Sequence, residues 1–355
     1  MNHAFWSGKR VFLTGHTGFK GSWLALWLQN MGAEVHGYAL RPTTDRSLFD
    51  LCGLSERMAS STFADIRDRD ALARAMRRAA PVVVLHLAAQ PLVHHAHAHA
   101  DETFDVNVMG TLRVLEAVRQ AGAVKAVLVV TSDKCYETSA EPHTETDPLG
   151  GTEPYASSKA CTELLVSTWR RAYFRDSRTA LASARAGNVV GGGDWAENRL
   201  VPDFFRASEQ GAELRIRNPE AIRPWQYVLD VCSGYLVLCE RLCVDGSDFA
   251  EAWNFGPAHV AQVTVREIVE RLAEIAGDVR WVIDKEREIA ETPVLRLDSS
   301  KAISRLGWRS RLSLDQMLKA TAHWYQAAHS GENMLDASLR QIAAYATQYD
   351  DGRHA

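Results

Sequence analysis

The stretch Arg10-Val-Phe-Leu-Thr14-Gly15-His-Thr-Gly18-Phe-Lys20-Gly21 joins a short apolar run to a turn marked by three glycines, and the apolar spacing of Phe19–Met31 then predicts a helix. Glycine allows a tight turn and lets backbone amides approach a pyrophosphate, whose charge a helix N-terminus favours. A strand, such a turn and a helix in that order read as the opening β-α unit of a dinucleotide-binding sheet.

The rest of the first half repeats the alternation. Arg10–Thr14, Glu34–Leu40, Ser61–Ala64, Val82–Leu87, Ala126–Thr131 and Thr179–Ala184 are the expected strands. Phe19–Met31, Arg69–Ala79, Thr103–Gln120 and Ser157–Arg175 carry apolar residues at three- and four-residue spacings and are the expected helices. Six strands with helical crossovers give an α/β fold with a doubly wound parallel sheet, which binds ligands beyond the carboxyl ends of its strands. After Arg185 the chain turns glycine-rich and mixed, with a last helical pattern over Ser313–His329. The expected division is a dinucleotide-binding domain over 1–184, with a returning segment at about 225–250, and a smaller, mainly substrate-binding domain over 185–355.

A net charge of -4 over 355 residues leaves no broad basic surface for nucleic acid. No run of roughly 18 apolar residues and no secretory leader pattern is present, so no membrane partner and a cytoplasmic location are expected. The six cysteines form no C-x-x-C pair and read as free thiols, and no metal site is expected. The histidines at 94, 95, 97 and 99 read as an exposed loop.

Tyr155 alone among nine tyrosines has a lysine four residues on, Lys159, which places both on one helix face. A phenol that works as a base near neutral pH needs positive charge beside it, and Lys159 and an oxidised nicotinamide would supply it. Upstream, the strand Val-Val-Thr131 ends in Ser132-Asp133-Lys134. A hydroxyl there can share the substrate oxygen with Tyr155, while an acid beside a base offers a further proton transfer that simple dehydrogenation does not need.

The glycine spacing resembles the T-G-x-x-G-x-x-G turn of the extended short-chain dehydrogenases/reductases. Asp65-Ile66 is similar to that family's adenine-contacting pair, and His86-Leu-Ala-Ala-Gln90 to the segment beneath its cofactor. Thr14–Trp23, Thr131–Tyr136, Arg185–Trp195, Arg223–Leu229 and Trp253–Pro257 resemble the CDP-glucose 4,6-dehydratases within that family. The resemblance implies that Gly15, Thr17, Gly18, Phe19, Lys20, Gly21, Asp65, Ile66, Leu87, Ala88 and Ala89, with Tyr155 and Lys159, hold the cofactor. It further implies that Gln90, Asn188, Arg199 and Arg223 meet the nucleotide sugar, Arg223 by a bidentate pyrophosphate contact. NAD is the expected cofactor; Arg41 at the end of the second strand leaves NADP open. The implied reaction is an internal redox cycle: Tyr155 takes the glucose 4-hydroxyl proton, Lys134 the C5 proton, and Asp133 protonates the departing C6 hydroxyl. A sugar-nucleotide 4-epimerase would need Tyr155 and Lys159 but not Asp133 and Lys134, and a catalytically silent cofactor-sensing protein is a third reading. A homodimer through Thr103–Gln120 and Ser157–Arg175 is implied as well. The loop from Glu137 to Pro154 departs from the family pattern and is expected near the sugar, where it would tune substrate preference.

Overall fold

The computed structural model describes residues 2–257, 263–284 and 294–351. Seven parallel strands form the central sheet, in spatial order β7-β6-β5-β4-β1-β2-β3. They are β1 (Arg10–Thr14), β2 (Glu34–Ala39), β3 (Ser60–Phe63), β4 (Val83–His86), β5 (Ala126–Val130), β6 (Ala180–Ala186) and β7 (Ala252–Phe255). The six expected strands are all present, shifted at their ends by one or two residues. The seventh pairs with β6 at the edge and was not expected, because Ala252–Phe255 is four residues long with no period-2 alternation. Between the two halves of the sheet, β1 and β4 are neighbours, so their connections leave in opposite directions and open a crevice at their carboxyl ends.

Helices cover both faces. Helix α1 (Phe19–Asn30) is buried continuously from Gly21 to Leu28, which explains its nearly uniform apolar character: it lies between the sheet and a further helical layer. Helix α2 (Arg69–Ala79) starts where the Asp68 side chain accepts hydrogen bonds from the Asp70 and Ala71 amides. The histidine run is not the expected loop. It forms a short helix, α3 (Val93–Ala98), which turns His94 and His95 toward the cleft described below.

The expected helix Thr103–Gln120 is interrupted. Ala100–Phe104 is α-helical, Asp105–Met109 widens into a π turn, and α4 (Gly110–Ala121) resumes the regular helix. The widening frees the Asn107 carbonyl for the hydroxyls of Thr111 (2.6 Å), four residues on, and of Thr162 (3.0 Å), the second a tertiary contact that no local spacing encodes. Helix α5 (Pro154–Ala172) has proline in its first turn, and the Glu153 carboxylate caps it by accepting from the Tyr155 and Ala156 amides.

Helix α6 (Leu200–Gln210) packs on a two-stranded parallel pair, Leu214–Ile216 beside Trp281–Ile283, here called the smaller lobe. Helix α7 (Val228–Asp245) returns to the sheet, where thirteen of its eighteen residues are buried. Helix α8 (Leu314–His329), predicted from its spacing, starts with a capping box formed by Ser313 and Gln316. Its Trp324 closes over Gly192, whose carbonyl also accepts from the Trp23 indole at 2.9 Å. A Cβ on Gly192 would fall inside the Trp324 ring. Gly192→Ala is therefore expected to destabilise the chain by about 1–3 kcal/mol through overpacking, measured as a lower urea midpoint with an unchanged slope.

Candidate active site

At the carboxyl edge of the sheet a cleft of about 1040 Å³ runs from the glycine turn to the smaller lobe. Three glycines shape its near end. Gly15 has φ +75, and a Cβ on it would meet the Ala88 amide at 2.7 Å; a Cβ on Gly21 would collide with the Gly15 carbonyl. The turn can therefore close only with bare backbone, the arrangement that lets amides approach an anion. Thr17 donates to the Leu40 carbonyl at 2.9 Å, and Phe19 and Lys20 reach the cleft wall. Below them the Thr14 hydroxyl accepts from the Leu87 and Ala88 amides, both at 3.2 Å. Its proton then goes to His86 Nδ1 at 2.7 Å, which leaves His86 Nε2 protonated and donating to Thr111 at 2.9 Å. Burial, with the Lys159 charge added, pulls His86 down to about 3, so it stays neutral. The segment Leu87, Ala88, Ala89 is thus fixed from beneath.

Asp65, expected at the adenine, makes a bidentate pair with Arg67, Nε to Oδ1 at 3.1 Å and Nη2 to Oδ2 at 2.7 Å. Ile66 is buried against Gly110. Arg41 lies flat over the Phe63 ring, 4.3 Å from its centroid. Gln90 is not part of the cleft lining: its amide bonds Thr103 and the Leu92 carbonyl and accepts from the Leu92 amide, so its polar atoms hold a turn instead of facing a sugar.

Ser132, Asp133, Lys134 and Tyr155 meet at the middle of the cleft, with Lys159 buried behind them. Ser132 donates to Asp133 Oδ1 at 2.9 Å, while Asp133 Oδ2 is buried without a hydrogen-bond partner among the described residues. Burial raises the Asp133 carboxyl, and the Ser132 hydrogen bond and the Lys134 and Arg223 charges only partly oppose it, so Asp133 tends to keep its proton. Burial also pushes Tyr155 up to about 12, against a hydrogen bond from Ser132 and the Arg199 charge. Lys159 is pulled down to about 7 by burial and by Lys20, opposed by the Glu163 charge. Its ammonium lies 5.9 Å from the Tyr155 ring centroid and 3.5 Å from the Val130 carbonyl.

Toward the smaller lobe, Asn188, Arg199 and Arg223 line the cleft; Arg199 pairs with Asp194 at 2.7 Å, and Arg223 donates to its neighbour's carbonyl, that of Ile222, at 3.0 Å. Among the described residues no cluster of three or more histidine, cysteine or acidic side chains could hold a metal ion.

None of residues 137–153 lines the cleft. The loop expected near the sugar is held at one end by contacts to Tyr136, Leu297, Arg185 and Asn254, while Glu153 at its other end caps the helix of Tyr155. His143 stacks on Tyr136 with ring centroids 4.5 Å apart and bridges to Leu297. Glu145 accepts from Arg185 through its carbonyl and from the Asn254 amide through its carboxylate.

The residues that hold this geometry escaped the sequence reading. Glu163, one helical turn beyond Lys159, accepts from Thr131 (2.5 Å), Ser183 (2.8 Å) and Arg185 (2.8 Å), all buried. Arg185 in turn donates to the Tyr136 hydroxyl at 2.6 Å. Asn107 in the π turn donates to Ser158 and to the Gln90 carbonyl. Glu163 had a signal, its place on the face of Tyr155 and Lys159; Asn107 had none.

The GDP-mannose 4,6 dehydratase family model matches residues 12–321. The chain belongs to the GDP-mannose 4,6 dehydratase family. Within this family, the CDP-glucose 4,6-dehydratase of Salmonella typhimurium is 46% identical over 349 residues, covering 96% of this chain and 97% of that one. Among solved structures, the fold is similar to a UDP-glucose 4-epimerase from Stenotrophomonas maltophila with bound NAD and formylated UDP-arabinopyranose. There the TM-score is 0.79 at 23% identity, over 91% of this chain and 99% of that one. A Thermus thermophilus UDP-glucose 4-epimerase in complex with NAD gives 0.76 at 25% identity, over 90% and 99%.

The Glu163–Arg185 pair makes two outcomes measurable. Glu163→Gln leaves a buried guanidinium uncompensated and is expected to cost about 3–5 kcal/mol in denaturant unfolding. Burial raises Glu163, but the Arg185 charge and three hydrogen bonds outweigh it and hold the carboxyl below 4.5. With the folded value below the unfolded one, the contribution is complete above pH 4.5 and is lost as pH falls through the depressed value. Wild-type stability should fall in that acid range, and the glutamine variant should lose this part of the dependence.

Proposed function

We propose that the chain is an NAD-dependent CDP-glucose 4,6-dehydratase, a hydro-lyase giving the 4-keto-6-deoxy sugar. The observation that carries this reading is the acid-base pair beside the tyrosine. Asp133 is held toward its protonated form and Lys134 stands on the same cleft wall, a provision that 4-epimerisation does not require. The Salmonella relative supports the cytidine substrate. The glycine turn, whose backbone leaves no room for side chains, and the fixed Leu87–Ala89 segment suit NAD, with the Lys159 ammonium behind.

In this reading Arg223, Arg199 and Asn188 bind the nucleotide diphosphate and set the sugar against Tyr155. Tyr155 accepts the 4-hydroxyl proton while Ser132 shares that oxygen. The glycine turn with Tyr155 and Lys159 would hold NAD, which would supply the acceptor for the C4 hydride and its donor to C6, with Lys134 returning the proton to C5. The C4 ketone acidifies the C5 proton, which Lys134 removes; Asp133 protonates the C6 hydroxyl, which leaves as water. The buried position of Tyr155 keeps bulk water from competing for its proton.

Incubation with CDP-glucose and NAD should yield a product lighter by one water with no net NADH. Unchanged product mass would overturn the reading. Tyr155→Phe should abolish turnover, whereas Lys134→Ala and Asp133→Asn should still reduce NAD transiently and slow elimination by about 10²- to 10⁴-fold.

The six free cysteines fit a reducing compartment, and the reading places the enzyme in the cytoplasm. It acts as a homodimer through α4, α5 and the π turn, where Met109, Leu164 and Tyr173 are 42%, 58% and 49% exposed in the single chain. Leu164→Asp should convert the dimer to a monomer in sedimentation velocity; a wild-type monomer would refute the dimer.

A further inference from the structure

A second cavity lies at the opposite edge of the sheet from the catalytic cleft. It opens at the amino end of β6, between the carboxyl end of α5 and the 3₁₀ turn Gly246–Phe249 that follows α7. Its volume of about 340 Å³ is within the roughly 300–1,000 Å³ of small-molecule sites. Phe174, itself buried, and Leu181 share its wall with four arginines, Arg170, Arg171, Arg175 and Arg178, and among the described residues no acid lines it. Four arginines within nine residues are a concentrated positive charge in a chain whose net charge is -4.

Local structure accounts for only part of this cluster. Arginines in a last helical turn complement the helix dipole, which covers Arg170 and Arg171. Arg175 and Arg178 come after the helix end, are exposed, and make no hydrogen bond or ion pair among the described residues. The turn that carries them is ordered, because the Ser177 amide donates to the Phe174 carbonyl at 3.3 Å and the Ser177 hydroxyl accepts from the Thr179 amide at 2.9 Å. Arg170 is anchored through Nε, which donates to the Leu181 carbonyl at 2.8 Å, and its terminal amino groups have no described partner. Burial, with the Arg185 and Arg171 charges added, lowers Arg170 from its ordinary value against the pull of Glu163 and Glu251. It remains a cation, and an incompletely compensated one. The acids nearby are committed elsewhere: Glu163 to Arg185, Glu251 to Lys301 and Arg305, and Asp245 to Arg241. Asp176, in the same turn, does not line the cavity.

We infer that this cavity binds the diphosphate group of a small anionic ligand, at a site separate from the catalytic cleft. A guanidinium fork takes phosphate oxygens two at a time, and several forks around one cavity suit an ion of more than one charge. The compact volume and the negative net charge of the chain favour a small molecule over a nucleic acid. The diphosphate is either free or carried by a nucleoside, whose apolar part would meet Phe174 and Leu181. No residue of the catalytic cleft takes part, so the inference stands without the dehydratase reading.

The test is calorimetric titration of inorganic pyrophosphate and, separately, ADP into the full chain, comparing wild type, the double variant Arg175→Gln/Arg178→Gln, and Arg223→Gln. The last removes a cation of the catalytic cleft and so reports any binding there. Wild type should bind pyrophosphate, the double variant about tenfold more weakly, and Arg223→Gln as wild type does. Tighter binding of ADP with the same dependence on Arg175 and Arg178 assigns the site to a nucleoside diphosphate; dependence for pyrophosphate alone assigns it to the free ion. Without ligand the double variant should melt no lower than wild type, because two unpaired cations have been removed, and Arg175→Lys/Arg178→Lys should recover part of the affinity. Absence of binding to wild type, or equal affinity in wild type and the double variant, overturns the inference. Weaker binding that comes with a lower melting temperature and is not rescued by the lysines overturns it too, and makes the arginines structural.

Discussion

The Glu163–Arg185 ion pair is the constraint on which the catalytic geometry depends. Both side chains are almost completely buried, at 3% and 4% exposure, so neither charge can be left alone without a penalty of several kcal/mol. The pair therefore holds its surroundings in one arrangement. Glu163 draws in Thr131 at the end of β5 and Ser183 in β6; Arg185 draws in Tyr136 and the Glu145 carbonyl; Tyr136 passes the connection to Asn254 in β7. Helix α5 is thereby pinned to the ends of three adjacent strands. Tyr155 and Lys159 precede Glu163 on that helix, and Ser132, Asp133 and Lys134 follow Thr131, so the same contacts set the two catalytic segments against each other.

Burial at this strand edge pushes four of its titratable groups the same way. Asp133 and Tyr155 are raised and Lys159 and Lys20 are lowered, each toward its uncharged form. A neutral carboxylic acid is what protonation of a leaving hydroxyl needs. A phenol near 12 needs the opposite help: it becomes a base only when positive charge approaches, which ties its activation to a loaded site.

Much of the scaffold was legible because its signals are local. Six strands, the glycine turn and the helices at Phe19, Arg69 and Ser313 followed from apolar spacing and turn residues, and the structure displaces their ends by only a residue or two. The misses share a cause. The π turn at Asp105–Met109 exists because the Asn107 carbonyl receives hydroxyls from two different helices. Strand β7 is a strand because β6 has a free edge to pair with. Gln90 and the loop from Glu137 to Pro154 read as neighbours of the sugar; in the structure Gln90 bonds Thr103, and the loop bonds Arg185, Asn254 and the 294–298 segment, contacts that local spacing does not encode.

By itself the sequence determined the α/β alternation, the glycine turn and the candidate reacting groups, since each depends on residues a few positions apart: glycines within one turn, Tyr155 and Lys159 within one helical turn, Ser132-Asp133-Lys134 at one strand end. Only the tertiary structure decided how those groups are charged and held. The raised Asp133 carboxyl, the lowered Lys159 ammonium and the Glu163–Arg185 clamp all arise from desolvation and from contacts between residues distant in sequence, and neither burial nor long-range pairing is written in local spacing.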